Sequence, residues 1–401
     1  MTPREPGGRA DRPIILHLIS SLHVGGAERM LVRLVAATGD RFDHRIVSMI
    51  AGGALAQDAR AAGAEVVELG LSRSLSAVAG LGRLRRLVGT MRPTVLQAWM
   101  YHAHLAAVAA LPLTGPRPAL AWNVRHTLES LTDETLLTRA AILAGVPLAP
   151  FADGIVYNAE RSAQRHAAIG YPSGKALVIP NGFDLDAFRP DTDAHAWLRA
   201  EHGLAPDTPI VGRVARNHPM KDHACLFGAF ARVVEAVPAA RLAVVGSGMV
   251  GDDPALAGLA AVAGVADKVL WLGPRRDIER LTAGFDVALS TSSRGEGFPN
   301  VMGEAMACGV PMVATDVGDA AAILDDPARI VPPGDAAGLA AIVVQLLQAG
   351  PDARAALGVR DRQRALARFT IAAVGDAYAA LWARLVPPGA KAPGGGSLHS
   401  T

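Results

Sequence analysis

Two series of short apolar runs, each run followed by a segment of helical periodicity, constrain this chain more than any other feature. The first series reads IILHLIS (14–20), RIVSMI (45–50), AEVVEL (64–69), TVLQAW (94–99), LAWNVR (120–125) and GIVYNA (154–159). The second reads PIVGRVA (209–215), RLAVVG (241–246), KVLWLG (268–273), DVALST (286–291) and PMVAT (311–315). Apolar runs of this length, alternating with helices, predict parallel sheets covered by crossover helices. The segment VIPNGF (178–183) separates the two series and marks a joint. Two Rossmann-like α/β domains are therefore expected, over 13–178 and 179–360, with flexible tails at 1–12 and at the Pro/Gly-rich 387–401.

Composition narrows the partners. Half of the 401 residues are hydrophobic and 19% are charged, enough for two cores and against disorder. A net charge of +2 with only 4% aromatics gives no electrostatic footprint or stacking platform for nucleic acid. Cys225 and Cys308 have neither metal-type spacing nor the density of a disulfide framework, which fits a reducing cytoplasm. The polar N-terminus MTPREPGGRADRP does not read as a secretion signal. The longest apolar candidate, 140–152, is short and broken by Pro147 and Pro150, so no membrane span is expected.

Chemistry concentrates in SSRGEGFPNVMGEAMACGVPMVATDVGD (292–319). A strand runs into a loop, and a helix starts near Pro299, a residue suited to a first helical turn. Gly309 suits the left-handed position at the helix end, and Pro311 follows. A helix N-terminus fed by a glycine-containing loop attracts anions through its unpaired N–H groups. Two carboxylates, Glu296 and Glu304, flank that loop and would repel a phosphate they touched. They fit neutral hydroxyls on either side of it, which points to a nucleotide-sugar. Upstream, Arg216 and Lys221 lie in the loop after the first strand of the second series, where fixed cations would stabilise a departing diphosphate. No Asp-x-Asp pair or histidine lies near the glutamates, so no metal is expected.

Glu296 and Glu304, embedded in EGFPNVMGEAMACGVPMVATDVG, resemble the donor-site signature of the retaining group 1 (family 4) glycosyltransferases, which have the GT-B fold. SSLHVGGAERML (20–31), VIPNGFDLDAFRPD (178–191), VARNHPMKDH (214–223) and DIERLTAGFDVALSTSSRGEGFP (277–299) follow that family's order and approximate spacing. The resemblance implies two Rossmann-like domains facing each other across a cleft, with a last helix, 361–386, completing the N-terminal domain. It implies that Glu304 holds ribose hydroxyls and that Glu296 contacts the transferred sugar. The backbone of Gly297, Phe298, Pro299, Asn300 and Val301 would face sugar and phosphate, with Arg216 and Lys221 on the diphosphate. Gly25 and Gly26 correspond to a family loop over the donor. Gly246 and Gly248 would allow close approach of the nucleotide, with Arg275 near its base. A UDP- or GDP-linked donor, a glycan or polyprenyl-linked acceptor, no metal, and bacterial surface-polysaccharide assembly at the cytoplasmic face of the membrane are further implications.

Two departures stand out. Where the family often has His-x-His after the fourth strand, this chain has Gln97-Ala98-Trp99. His102 then becomes the candidate catalytic histidine, with Trp99 and Tyr101 as walls and Arg125 and His126 as acceptor contacts. Past the signature, Asp319 is followed by Ala320, Ala321 and Ala322 rather than by an acid. Segment 71–92 carries Arg73, Arg83, Arg85, Arg86 and Arg92 with no acid. It reads as a basic amphipathic helix, either lying on an anionic membrane or docked with a solvated arginine face. A rival reading takes Gly246, Gly248 and Gly251 as a G-x-G-x-x-G fingerprint, with Arg275 and Arg276 for an NADP 2′-phosphate. A third keeps the fold as a non-catalytic sugar-binding protein.

Overall fold

The computed structural model describes residues 12–71, 76–112 and 114–386. The expected tails lie outside the described residues, apart from Arg12, which donates to the Gly39 carbonyl at 2.5 Å. Arg73 also lies outside them. The chain forms two compact units, Met1–Gly182 with Ile371–Thr401, and Phe183–Thr370.

The first unit holds β1 (Ile14–Ile19), β2 (Asp43–Ser48), β3 (Glu65–Glu68), β4 (Val95–Trp99), β5 (Ala119–Val124), β6 (Gly154–Tyr157) and β7 (Ala176–Val178). All pair in parallel, in the order β3-β2-β1-β4-β5-β6-β7. Every residue of β1, β4 and β5 is buried, as a sheet covered on both faces requires. Helices Ser76–Met91, Tyr101–Ala110 and Leu136–Leu148 cover one face. Helices Gly26–Thr38 and Ile371–Leu385 cover the other.

The second unit holds β8 (Ile210–Val214), β9 (Arg241–Val245), β10 (Val269–Gly273), β11 (Val287–Ser290), β12 (Met312–Thr315) and β13 (Ile330–Val331). The order β10-β9-β8-β11-β12-β13 places the topological switch between β8 and β11. Loops after those two strands diverge there and leave the crevice in which open α/β sheets bind ligands.

The single helix expected over 361–386 is instead two. Pro351–Arg368 belongs to the second unit, and Ile371–Leu385 to the first. The break falls at Phe369-Thr370, where Phe369 is buried in the second unit's core. Helix Ile371–Leu385 is anchored by polar bonds: Trp382 Nε1 donates to Gln97 Oε1 at 2.6 Å, and Asn123 Nδ2 to Tyr378 OH at 2.8 Å. Gln97 and Trp99 are therefore core residues, and their place at the expected His-x-His position serves packing.

Four histidines of this unit are buried and held neutral. His17 Nε2 and His44 Nδ1 share a hydrogen bond of 3.0 Å, and His44 Nε2 meets Thr38 Oγ1 at 2.9 Å. Burial drives His17 well below the usual range and takes His44 and His166 down to about 4 and His104 to about 3. In the unfolded chain these groups titrate near 6.5, so the unfolded state binds more protons at mildly acidic pH. Their contribution is intact above 6.5 and is lost as pH falls through the window down to the folded values. Each can cost up to about 1.4 kcal/mol per pH unit there. The melting temperature should fall steeply from pH 7 to pH 5 in calorimetry; a flat profile would contradict four neutral buried imidazoles.

Candidate functional site

The loop after β8 carries Arg216, exposed, and then a 3-10 turn Pro219–Lys221. Asp222 follows in the left-handed conformation and caps helix His223–Ala236 by accepting from Cys225 N at 3.0 Å. That cap fixes where Lys221 leaves the backbone. The loop after β11 is stitched to this turn. Thr291 Oγ1 donates to the Lys221 carbonyl at 2.8 Å, and Ser293 N to the Met220 carbonyl at 2.8 Å.

Lys221 Nζ and Glu296 Oε1 form an ion pair between side chains only 17% and 15% exposed. Ser292 Oγ donates to the same carboxylate oxygen at 3.1 Å. Burial pushes the Glu296 carboxyl upward, but Lys221, Ser292 and the charge of Arg213 outweigh it and hold the group below its ordinary range. Arg213 lies beneath, on β8, and is 1% exposed. It donates to the Leu289 carbonyl, Ser290 Oγ and the Lys221 carbonyl at 3.2–3.3 Å. Burial takes its guanidinium down to about 10.

The Glu296 loop is held from behind by residues 315–319. Thr315 Oγ1 donates to the Ser292 carbonyl at 2.6 Å, and Asp319 N to the Gly297 carbonyl at 3.0 Å. Gly318, at φ +60°, passes so close that a Cβ would lie 2.2 Å from the carbonyl oxygens of Glu296 and Gly297. Helix Asn300–Cys308 then begins immediately after Pro299, which stands just outside the helix and not in its first turn as expected. Gly309 ends it in the left-handed conformation, as expected. Glu304 is the fifth helical residue and 4% exposed; with Val301 it borders a small recess also lined by Gly212, Val214 and Leu289. The second unit thus gathers Arg216, Lys221, Glu296, Gly297–Val301 and Glu304 around the switch between β8 and β11.

Gly246 and Gly248 also reach this place, for a packing reason. A Cβ on Gly246 would lie 2.0 Å from the Ala215 carbonyl oxygen, and Asn217 N donates to the Ser247 carbonyl at 2.8 Å. The glycines let one loop lie on the other. The NADP fingerprint does not survive here. Gly251 packs against Trp271, and the following helix, Pro254–Val262, is already capped by Asp253, which accepts from Ala255 N and Leu256 N at 3.0 Å. Arg275 is paired with Glu201 at 2.8 Å and with Asp277 at 2.7 Å, and Arg276 is exposed beside it.

In the first unit, Gly25 precedes helix Gly26–Thr38 with extended backbone, and the Glu28 carboxylate folds against it. His102 is exposed in the first turn of helix Tyr101–Ala110, behind Met100 at φ +68°. Trp99 and Tyr101 are buried and do not wall a sugar site. Trp99 Nε1 donates to His17 Nδ1 at 3.3 Å, and Tyr101 OH lies between His126 Nδ1 at 3.2 Å and His166 Nε2 at 2.9 Å. Arg125 is bound to Tyr378 OH at 3.0 Å and to Asn181 Oδ1, and His126 faces Glu134 at 3.3 Å. Sequence reasoning missed Arg213, Thr291, Ser292 and Gly318. Only Arg213 left a signal there, a charge inside an apolar strand.

Comparison with known proteins agrees with this geometry. A model described as "Glycosyl transferases group 1" matches residues 206–349, and one described as "Glycosyltransferase Family 4" matches 24–187. The GDP-mannose-dependent alpha-(1-6)-phosphatidylinositol monomannoside mannosyltransferase of Mycolicibacterium smegmatis is 34% identical over 54% of this chain and 58% of its own. The D-inositol 3-phosphate glycosyltransferase of Mycobacteroides abscessus is 35% identical over 49% of this chain and 45% of its own. The chain spans about half the length of the curated relatives it matches. Among solved structures, Anabaena HepE in complex with UDP and glucose has a TM-score of 0.79 at 23% identity, covering 92% of this chain and 99% of that one. A Thermosynechococcus elongatus sucrose-phosphate synthase has a TM-score of 0.78 at 20% identity, covering 93% of this chain and 99% of that one. Two parallel-sheet α/β units with these likenesses define the GT-B fold. The chain belongs to the group 1, family 4 glycosyltransferases.

The Gly318 contact yields a stability test. Gly318→Ala should cost about 1–2 kcal/mol for the left-handed backbone and about 1–3 kcal/mol more for the overlap with two carbonyls. Gly334→Ala, at φ +80° with nothing within 4 Å of the new Cβ, should show the backbone cost alone. Equal losses in denaturant unfolding would show that residues 315–319 do not buttress the Glu296 loop.

Proposed function

We propose that this protein is a retaining glycosyltransferase that moves a hexose from a UDP- or GDP-linked donor to a glycan or polyprenyl-linked acceptor. One observation carries the reading: Arg216, Lys221 and the half-buried Glu296 converge at the switch between β8 and β11, beside the N-terminus of the helix that bears Glu304. In the proposed reaction the bond from the sugar's anomeric carbon to the diphosphate breaks, and a bond to the acceptor oxygen forms on the same face. The acceptor's proton passes to the leaving phosphate oxygen. Arg216, Lys221 and the N–H groups opening helix Asn300–Cys308 stabilise the growing charge. Glu296, kept ionised by Lys221 and Arg213, accepts hydrogen bonds from hydroxyls of the transferred sugar, and Glu304 from those of the ribose. Charge on the diphosphate is met by side chains, so the reaction is metal-independent in this reading. His102, exposed in the first unit, is the candidate histidine of the acceptor side.

The donor alternatives rest on the UDP bound in HepE and the GDP-mannose of the mycobacterial relative. Bacterial surface-polysaccharide assembly at the cytoplasmic face is the proposed setting, with peripheral contact to anionic lipid. Exposed Arg83, Arg85, Arg86 and Arg92 support that contact, and no single helix among the described residues is long and apolar enough to cross a membrane.

In EDTA, UDP or GDP at about 100 times its dissociation constant should add roughly 2.7 kcal/mol of stability, read as a melting shift. Glu304→Ala should abolish the shift; unchanged affinity would refute the ribose role. A shift with NADP alone would overturn the transferase reading. Lys221→Ala should lower kcat/KM by about 10- to 100-fold, the worth of one charge-assisted hydrogen bond. Turnover lost in EDTA and restored by a divalent cation would refute metal independence.

A further inference from the structure

The amphipathic helix expected at 71–92 turns its apolar stripe inward. Leu84, Val88 and Met91 are buried in the first unit's core, and Arg83, Arg85, Arg86 and Arg92 face solvent. Any lipid contact must therefore take its apolar part from elsewhere, and the same face of the sheet supplies it.

Helix Leu136–Leu148, continued by the turn Ala149–Phe151, buries Ala141, Ile142, Gly145 and Ala149 and exposes the opposite side. Leu136, Leu137, Leu143 and Phe151 are 79%, 67%, 46% and 56% exposed, a concentration of large apolar side chains found in no other described segment. With exposed Ala140, Ala144, Pro147 and Pro150 they occupy an arc of about 140° at 100° per residue, with no charge within it. A solvent face made wholly of apolar residues inverts the usual pattern and marks an interaction surface. The segment is roughly 24 Å long at 1.5 Å per residue, short of a hydrocarbon core of about 30 Å, and one side of it is packed into the protein. It can lie on a bilayer but not cross one.

The charge around the stripe selects the occupant. Lys175 Nζ donates to the carbonyls of Pro150 and Ala152 at 2.7 Å, which places an ammonium beside Phe151. Arg139 donates to the Leu131 carbonyl at 2.9 Å, at the stripe's border. Neither cation has a carboxylate partner within 4 Å among the described residues. Of the nearby acids, Glu134 faces His126 and Asp153 pairs with Arg117, while Asp133 is exposed. Helix Tyr101–Ala110 packs against both the stripe-bearing helix and Ser76–Met91, so the arginine face lies on the same side of the sheet.

We propose that the stripe from Leu136 to Phe151 is the surface by which this protein lies on an anionic lipid bilayer, with Arg139, Lys175 and the arginines of Ser76–Met91 meeting the headgroups. This deepens the membrane contact of the proposed function and rests on it. An apolar face buried at the headgroup boundary with cations at its rim is the pattern of interfacial helices.

The test is co-sedimentation of the full chain with phosphatidylcholine vesicles, with and without phosphatidylglycerol. The wild type should bind the phosphatidylglycerol vesicles. The exposed-site variant Leu137→Glu with Leu143→Glu should lose roughly tenfold or more of that binding. Its melting shift with UDP or GDP should stay unchanged, showing that the fold and the second unit are intact. Equal sedimentation of variant and wild type would overturn the stripe as the contact, as would no binding of the wild type to either vesicle. A wild-type dimer in ultracentrifugation that the variant abolishes, without lipid binding, would assign the surface to a second copy instead. Phe151→Trp gives an independent reading, because added quenching by brominated lipid should appear only if the stripe inserts. Loss of the nucleotide shift in the wild type would count against the transferase reading and not against this surface.

Discussion

The second unit is organised around one arrangement of charge, in which Lys221 and Glu296 pair above an arginine sealed inside the sheet. Arg213 sits on β8 with its guanidinium on carbonyl and hydroxyl groups of β11 and of the Lys221 turn. It has no carboxylate in contact and its Nε finds no acceptor among the described residues. Such a buried cation is expensive unless anionic groups lie close by. The charge of Glu296 answers it in the molecule as it stands. The two loops of the site are therefore joined by charge and by backbone hydrogen bonds at once, and Gly318 presses the second loop against that support from behind.

Much of this is legible in the amino-acid sequence. Eleven strand-like runs in two series all became strands; the central ones are apolar because both their faces are buried, and the edge strands β3 and β10 are more exposed. Two strands escaped notice, β7 with three residues and β13 with two, since so short a run carries no periodicity. The acid-bearing signature foretold the loop, the helix and its glycine stop at Gly309. What it did not display were hydroxyls acting on backbone, such as Thr291 and Thr315, because a threonine in a loop looks alike whether bonded or solvated.

The first unit shows the opposite case, in which polar residues that invite a functional reading turn out to hold the core together. Gln97, Trp99 and Tyr101 are occupied by Trp382, His17 and two histidines respectively. The partners lie as far as 285 residues away in the chain, so no local pattern announces them. The break at Phe369-Thr370 is similar, for helical periodicity runs through it and only the assignment of the two helices to different units explains it.

Sequence alone determined the layered α/β architecture, its two-unit division and the residue types at the donor-type loops. These depend on local pattern: apolar runs, glycine and proline punctuation, and motif spacing. Tertiary structure decided which charges are paired, which aromatics are buried and which apolar helix face remains in solvent. Leu84 and Leu137 both lie on helices with one apolar side, yet the first is buried and the second exposed. Periodicity says that a helix has a face; only the packing of its neighbours says which way that face looks.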